Sequence, residues 1–280
     1  MPTYNTPNPI DLAINLQVGR IEVIASDRTD TIVTVTASSS KQNDLKAVDE
    51  TKVRFDDQRL TIIGPKPKLS WLGPSAGDSV DIKVELPTGS RLTAENGGPV
   101  KTVGRFGATR IKGAIGGLDL EATGDLWLRA AHGRVSVGAV EGDLDVVASY
   151  GSIRVGGVTG DAVLRASYGG VQVGEAGGDL DAKLSYGDLE ITKALGSVTA
   201  KTAFGGIRLD EVSSGSIQAE SGFGQVTIGV RPGVPAWLDL SSKTGRVHNE
   251  LEGDAAPGAS EQTVAVRVRT NGDITITRAH

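Results

Sequence analysis

Over residues 142–159 the chain reads Gly-Asp-Leu-Asp-Val-Val-Ala-Ser-Tyr, then Gly-Ser-Ile-Arg-Val-Gly-Gly-Val-Thr. Leu144, Val146, Ala148 and Tyr150 alternate with Asp145, Val147 and Ser149, the two-residue period of a strand with one buried face. The second stretch turns Ile153 and Val155 to the same side around Arg154, and Val158 follows a Gly-Gly bend. Nothing here has the 3.6-residue apolar spacing of an amphipathic helix. The pattern predicts two short strands joined by tight corners.

The pattern recurs. Glycines stand nine residues apart from Gly124 through Gly133, Gly142 and Gly151 to Gly205, slip by one to Gly215 and resume at Gly224. Every second nine-residue unit closes on a ring: His132, Tyr150, Tyr168, Tyr186, Phe204 and Phe223. The repeat is therefore eighteen residues in two halves, the signature of a solenoid. Stacked, the inward positions form ladders, one of them Leu126, Leu144, Ala162, Leu180, Val198 and Ile217. A second is Val135, Ile153, Val171, Leu189, Ile207 and Val226. The rings share the phase of the inward aliphatics, so the ladder His132–Phe223 is expected inside, stacked at about the 4.8 Å strand spacing. A nine-residue half excludes the hexapeptide β-helix, and single glycines ahead of the aspartates do not match the Gly-Gly-x-Gly-x-Asp calcium coil.

Outside the array the reading is less regular. Residues 10–36 alternate as strands with a turn at Asp27–Asp30, residues 40–50 have the composition of one short helix, and Val53–Phe55 and Leu60–Ile63 form a hairpin. Residues 64–79 are a Pro/Gly loop leading to the strand Val80–Leu86. After Pro232 come a strand at Ala236–Leu240, a related one in Thr244–Leu251, and a hairpin expected across Asn271-Gly272. The expected fold is all-β: a single β-solenoid of 18-residue coils, with a β cap at 1–88, the repeat array at 89–232 and a second β cap at 233–280. Together these are expected to make one continuous unit.

Composition narrows the function. In 280 residues there are 38 glycines and 11 prolines, 4% aromatics, no cysteine and a net charge of −5. That excludes a disulfide framework and thiolate metal sites and disfavours nucleic acid as a partner. With no leader-like N-terminus and no long apolar run, a cytoplasmic location is expected, with peripheral membrane association left open.

The Gly-Asp-Leu and Gly-x-Val/Ile-x-Val units occur together with Leu86-Pro-Thr-Gly-Ser90, Ala236-Trp-Leu-Asp-Leu240, Thr244-Gly-Arg-Val247 and Thr270-Asn-Gly-Asp-Ile-Thr-Ile276. Over residues 10–278 this order of motifs resembles the bacterial "putative adhesin" β-strand-repeat family, the toastrack type. The resemblance implies a β-solenoid, a setting among envelope-stress or transporter genes, and no catalytic residues.

Several residues are candidates for binding. Outward Arg129, Arg165, Lys183 and Lys201 line up as a basic stripe, suited to an anionic polymer, a lipid headgroup or an acidic partner, although Asp145 and Asp181 dilute it. Trp71 and Leu72, near Lys66 and Lys68, suit a membrane interface or a partner pocket, or else a cover for the first coil. The column Asp125, Asp143, Asp161 and Asp179 follows the corner glycines, where carboxylates either bond turn amides or hold calcium. Turn amides are the expected use, so no metal and no cofactor are expected. Polysaccharide-cleaving β-helices set paired carboxylates in a cleft walled by insertions, and these coils are nearly insertion-free. The expectation is a monomeric, non-catalytic scaffold for a protein partner. A bactofilin-like filament and a glycan-active enzyme are the alternatives.

Overall fold

The computed structural model describes residues 2–65, 69–70, 73–74, 79–251 and 263–279. The chain forms two compact units, Met1–Gly138 and Ala139–His280. Both are built from coils of two strands, one strand in each of two facing sheets.

In the second unit the coils follow the eighteen-residue period. Strands Leu144–Tyr150, Ala162–Tyr168, Leu180–Tyr186, Val198–Phe204 and Gly215–Ser221 pair in parallel, with Leu144, Ala162, Leu180, Val198 and Ile217 in register. In the facing sheet Ile153, Val171, Leu189, Ile207 and Val226 are likewise in register. Every one of these side chains is at most 2% exposed. Both aliphatic ladders are thus the core, as their alternation requires.

The end of this unit is not stacked in chain order. Val264–Thr270 pairs in parallel with Gly215–Ser221 on one side and with Ala236–Ser242 on the other. Ile274–Arg278 lies in the same way between Val226–Val230 and Val247–Asn249. The hairpin expected across Asn271-Gly272 is therefore absent: its two arms belong to opposite sheets. Asn-Gly serves here as a coil corner, because a Cβ on Gly272 would lie 2.5 Å from the Gly224 carbonyl oxygen, in line with the corner glycines below it.

The first unit repeats the device. Asp11–Leu16 is bracketed by Arg59–Ile63 and Arg91–Asn96, and Ile21–Ser26 by Val80–Pro87 and Val100–Arg105, all in parallel. The hairpin Lys52–Asp56 with Arg59–Ile63 forms as read, with Asp57 and Gln58 at φ of 44° and 61° in its turn. The short helix is present as Gln42–Glu50. Its buried Asp44 accepts hydrogen bonds from the Ser39 hydroxyl and the Ser79 amide, tying the helix to its flanking segments. The strand Asp30–Ala37 runs antiparallel to Val80–Pro87.

Candidate functional site

The corner glycines create the most unusual surface of the second unit. Gly151, Gly169, Gly187 and Gly205 have φ between 124° and 152°. They also stack so closely that a Cβ on Gly169, Gly187 or Gly205 would lie 2.1–2.3 Å from the preceding glycine's carbonyl oxygen. Positive φ and contact distance both demand glycine. The residue just before each glycine is thereby fixed at the tip of its strand.

Those tips carry the rings, and here the structure corrects the reading of an internal ladder. Tyr150, Tyr168, Tyr186, Phe204 and Phe223 do stack, with centroids 4.9–5.1 Å apart and planes within 5°. Yet the first four are 45–48% exposed and Phe223 is 69% exposed. The phase was right and the position was not. Ala148 is the last inward residue of its strand with a facing partner. Two residues on, the strand has reached the corner, and the opposite sheet begins only at Ile153. The ring leaves the core and packs on its neighbours. His132 holds the equivalent place in the first unit, opposite Ile115, and is also exposed. The stacked rings of the second unit therefore form a ribbon of aromatic edges roughly 20 Å long.

The aspartates have another use. Asp143 Oδ1 accepts the amide of Asp161 at 2.9 Å, Asp161 that of Asp179 at 2.9 Å, and Asp179 that of Ser197 at 2.8 Å. Asp188 does the same for Gly206 at 2.7 Å. The turn-amide reading holds, with the amide supplied by the next coil.

The basic stripe divides. In the second unit Arg165, Lys183 and Lys201 are in register on adjacent strands. Asp181 approaches Arg165 at 3.3 Å and Lys183 at 3.5 Å, and Glu220 pairs with Lys201 at 2.9 Å. Arg165 Nη1 and Asp181 Oδ1 are buried with no hydrogen-bond partner among the described residues. Arg129, in the first unit, instead lies over the Trp127 ring at 4.3 Å, with Arg110 at 3.7 Å from the same ring. It also donates to the Leu128 carbonyl. Trp71 and Leu72, with Lys66 and Lys68, lie outside the described residues.

Beyond Lys201 the surface opens into a groove of about 730 Å³, lined by Lys183, Lys201, Glu220, Ser241, Lys243, Arg269 and Asn271 among others. A concavity of about 500 Å³ joins Phe223 to Lys243, Thr244, Asn271 and Gly272. Sequence reasoning missed this region because Lys243 and Arg269 lie outside the regular repeat. A signal was present all the same: Asn271-Gly272 and Thr244-Gly245 repeat the residue-glycine corner of Phe223-Gly224.

The groups whose titration is displaced lie elsewhere. Asp30 is held below the usual carboxylate range by its hydrogen bond to Arg28, and Glu85 by Lys83 and then Arg28. Arg28 and Arg208 are raised by their carboxylate partners, Asp30 foremost for Arg28 and Asp210 for Arg208. These are ion pairs on sheet surfaces, at 2.6–3.0 Å. Among the described residues no cluster of three or more His, Cys, Asp or Glu is placed to hold a metal ion. No helix among them is long and apolar enough to cross a membrane.

Parallel two-strand coils, glycine corners and registered side-chain ladders define a β-solenoid repeat protein. The Toastrack DUF4097 family model matches residues 10–277, and the chain belongs to that family. Among solved structures it is similar to a "putative adhesin" from Parabacteroides distasonis, at 14% identity and a TM-score of 0.44, over 98% of this chain and 95% of that one. It is also similar to a "putative adhesin" from Bacteroides fragilis, at 12% identity and a TM-score of 0.39, over 98% and 95%. A "putative cell adhesion protein" from Clostridium sporogenes matches at 14% identity and a TM-score of 0.22, over 99% and 98%. No curated protein matches the sequence.

Proposed function

We propose that the protein is a non-catalytic binding scaffold that engages a protein partner through the aromatic ribbon Tyr150–Phe223, in an envelope-linked sensing or transport system. The observation that carries this reading is the exposure of five stacked rings on a rigid column of glycines. Large apolar groups held in water at fixed spacing mark a recognition surface. The carboxylate column supports binding over catalysis, since Asp143, Asp161 and Asp179 each commit an oxygen to a backbone amide. The envelope setting rests on the family resemblance.

The test is affinity purification of the full chain from its native host, beside a Tyr168→Ser/Tyr186→Ser variant shown to fold by circular dichroism. A protein recovered with the parent and lost with the variant is the expected result. Equal recovery by both would remove the ribbon from the contact.

A further inference from the structure

Going beyond the protein contact, we infer that the end of the ribbon also binds an acidic polysaccharide. One sugar ring would stack on Phe223, and its anionic substituents would be held by Lys243 and Arg269.

Three observations converge there. The first is an open aromatic face. Along the ribbon each ring covers the next, so Tyr168, Tyr186 and Phe204 offer only their edges. Phe223 is covered by Phe204 on one side, at 5.1 Å. The next coil supplies no ring on its other side: Asn271 alone separates Thr270 from Gly272, where Gly222 and Phe223 separate Ser221 from Gly224, and the coil after that has Thr244 before its glycine. The glycines align these corners: a Cβ on Gly272 would lie 2.5 Å from the Gly224 oxygen, and one on Gly245 2.2 Å from the Gly272 oxygen. The ladder thus changes from aromatic to polar at one step. It leaves Phe223 at 69% exposure over a concavity shared with Lys243 and Asn271. A flat apolar face beside amide and hydroxyl groups suits a pyranose ring.

The second is charge. The groove continuing from this notch carries Lys183, Lys201, Lys243 and Arg269 against one carboxylate, Glu220. Glu220 is taken by Lys201, and Lys183 leans on Asp181, whereas Lys243 and Arg269 are exposed and form no ion pair among the described residues. The uncompensated positive charge therefore collects next to Phe223.

The third is the shape of the stripe. Arg165, Lys183, Lys201, Glu220 and Arg269 are in register on successive strands, about 4.8 Å apart. A nucleic acid, with a phosphate at every step, would meet Glu220 and Asp181 inside the stripe. A lipid surface is flat, while these cations line a groove. A chain of sugars with spaced anionic groups and free hydroxyls between them tolerates an interrupted stripe.

The test titrates the full chain by calorimetry at low ionic strength. The probes are polygalacturonate and heparin oligosaccharides, methyl-esterified polygalacturonate, single-stranded DNA, and phosphatidylglycerol vesicles. At least one of the two acidic oligosaccharides should bind, with salt-sensitive affinity, and the esterified form should not. Lys243→Glu/Arg269→Glu should weaken binding at least tenfold, and Phe223→Ala about fivefold. Asn271→Tyr adds the missing ring, so it should raise Tm while abolishing binding, a combination that a purely structural role for the corner would not give. No binding of either acidic oligosaccharide would overturn the proposal. So would affinity unchanged in the charge-reversed variant, or equal affinity for DNA or vesicles. Tyr168→Ser/Tyr186→Ser, the variant that tests the protein contact, should keep glycan affinity within about twofold, so the two readings fail independently.

Discussion

The rings of Tyr168 and Tyr186 lie with their centroids 5.0 Å apart and their planes 1° from parallel, although each is nearly half exposed to water. This arrangement has a cause in the backbone. It follows from the backbone register Tyr168↔Tyr186 and the glycine that follows each ring.

Tyr168 sits between two rings, so Tyr168→Ala should lower the unfolding free energy by about 1–3 kcal/mol, since each aromatic pair contributes roughly 0.5–1.5 kcal/mol. Tyr168→Phe should be close to neutral, because Phe204 and Phe223 already occupy the same ladder. Urea denaturation followed by circular dichroism measures both.

Gly187→Ala should be among the most damaging small substitutions in the chain. It places a methyl group 2.3 Å from the Gly169 carbonyl oxygen at a φ of 135°, and a cost of at least about 2 kcal/mol is expected. Gly117→Ala, which meets nothing within 4 Å, should change stability by less than about 1 kcal/mol. Thermal melts of the pair separate close approach from a generic loss of glycine.

Asp161→Ala removes the acceptor for the Asp179 amide and should cost about 1 kcal/mol, with Asp161→Asn recovering part of it through the amide oxygen. Hydrogen exchange at the Asp179 amide should quicken in the alanine variant. An unchanged rate there would mean that the aspartate column contributes nothing to stacking.

Acid should loosen the first unit through Arg28. Asp30 and Glu85 titrate below their ordinary values in the folded chain. Their stabilising effect is therefore present above the unfolded carboxylate range near pH 4, and it is lost as pH falls through the depressed folded values. Arg28→Gln should flatten this acid-side loss. Stability against pH between 2 and 6, measured for both chains, checks the sign.

Much of this was legible in the sequence because a two-strand coil has so few degrees of freedom. Alternation placed Leu144 and Val146 inside, and the nine-residue glycine spacing set which residues stack. Alternation could not tell a core position from a corner one: Ala148 and Tyr150 share a phase, yet only the first has a sheet opposite it. Chain order misled at Asn271-Gly272, where a strong hairpin signal joins two strands that never pair. Lys243 and Arg269 meet the stripe only because the segments after Pro232 stack out of sequence. The spacing of a regular repeat carries no trace of that.

The strand Val264–Thr270 is held between Gly215–Ser221 and Ala236–Ser242. During synthesis, the stretch that ends up outermost therefore leaves the ribosome before the stretch it must rest upon. It has no strand to pair with until Val264–Thr270 has been made. A stack that grew in simple order could accept or shed a layer at little cost, whereas here Val264–Thr270 acts as a latch that must slide in beneath a layer made before it.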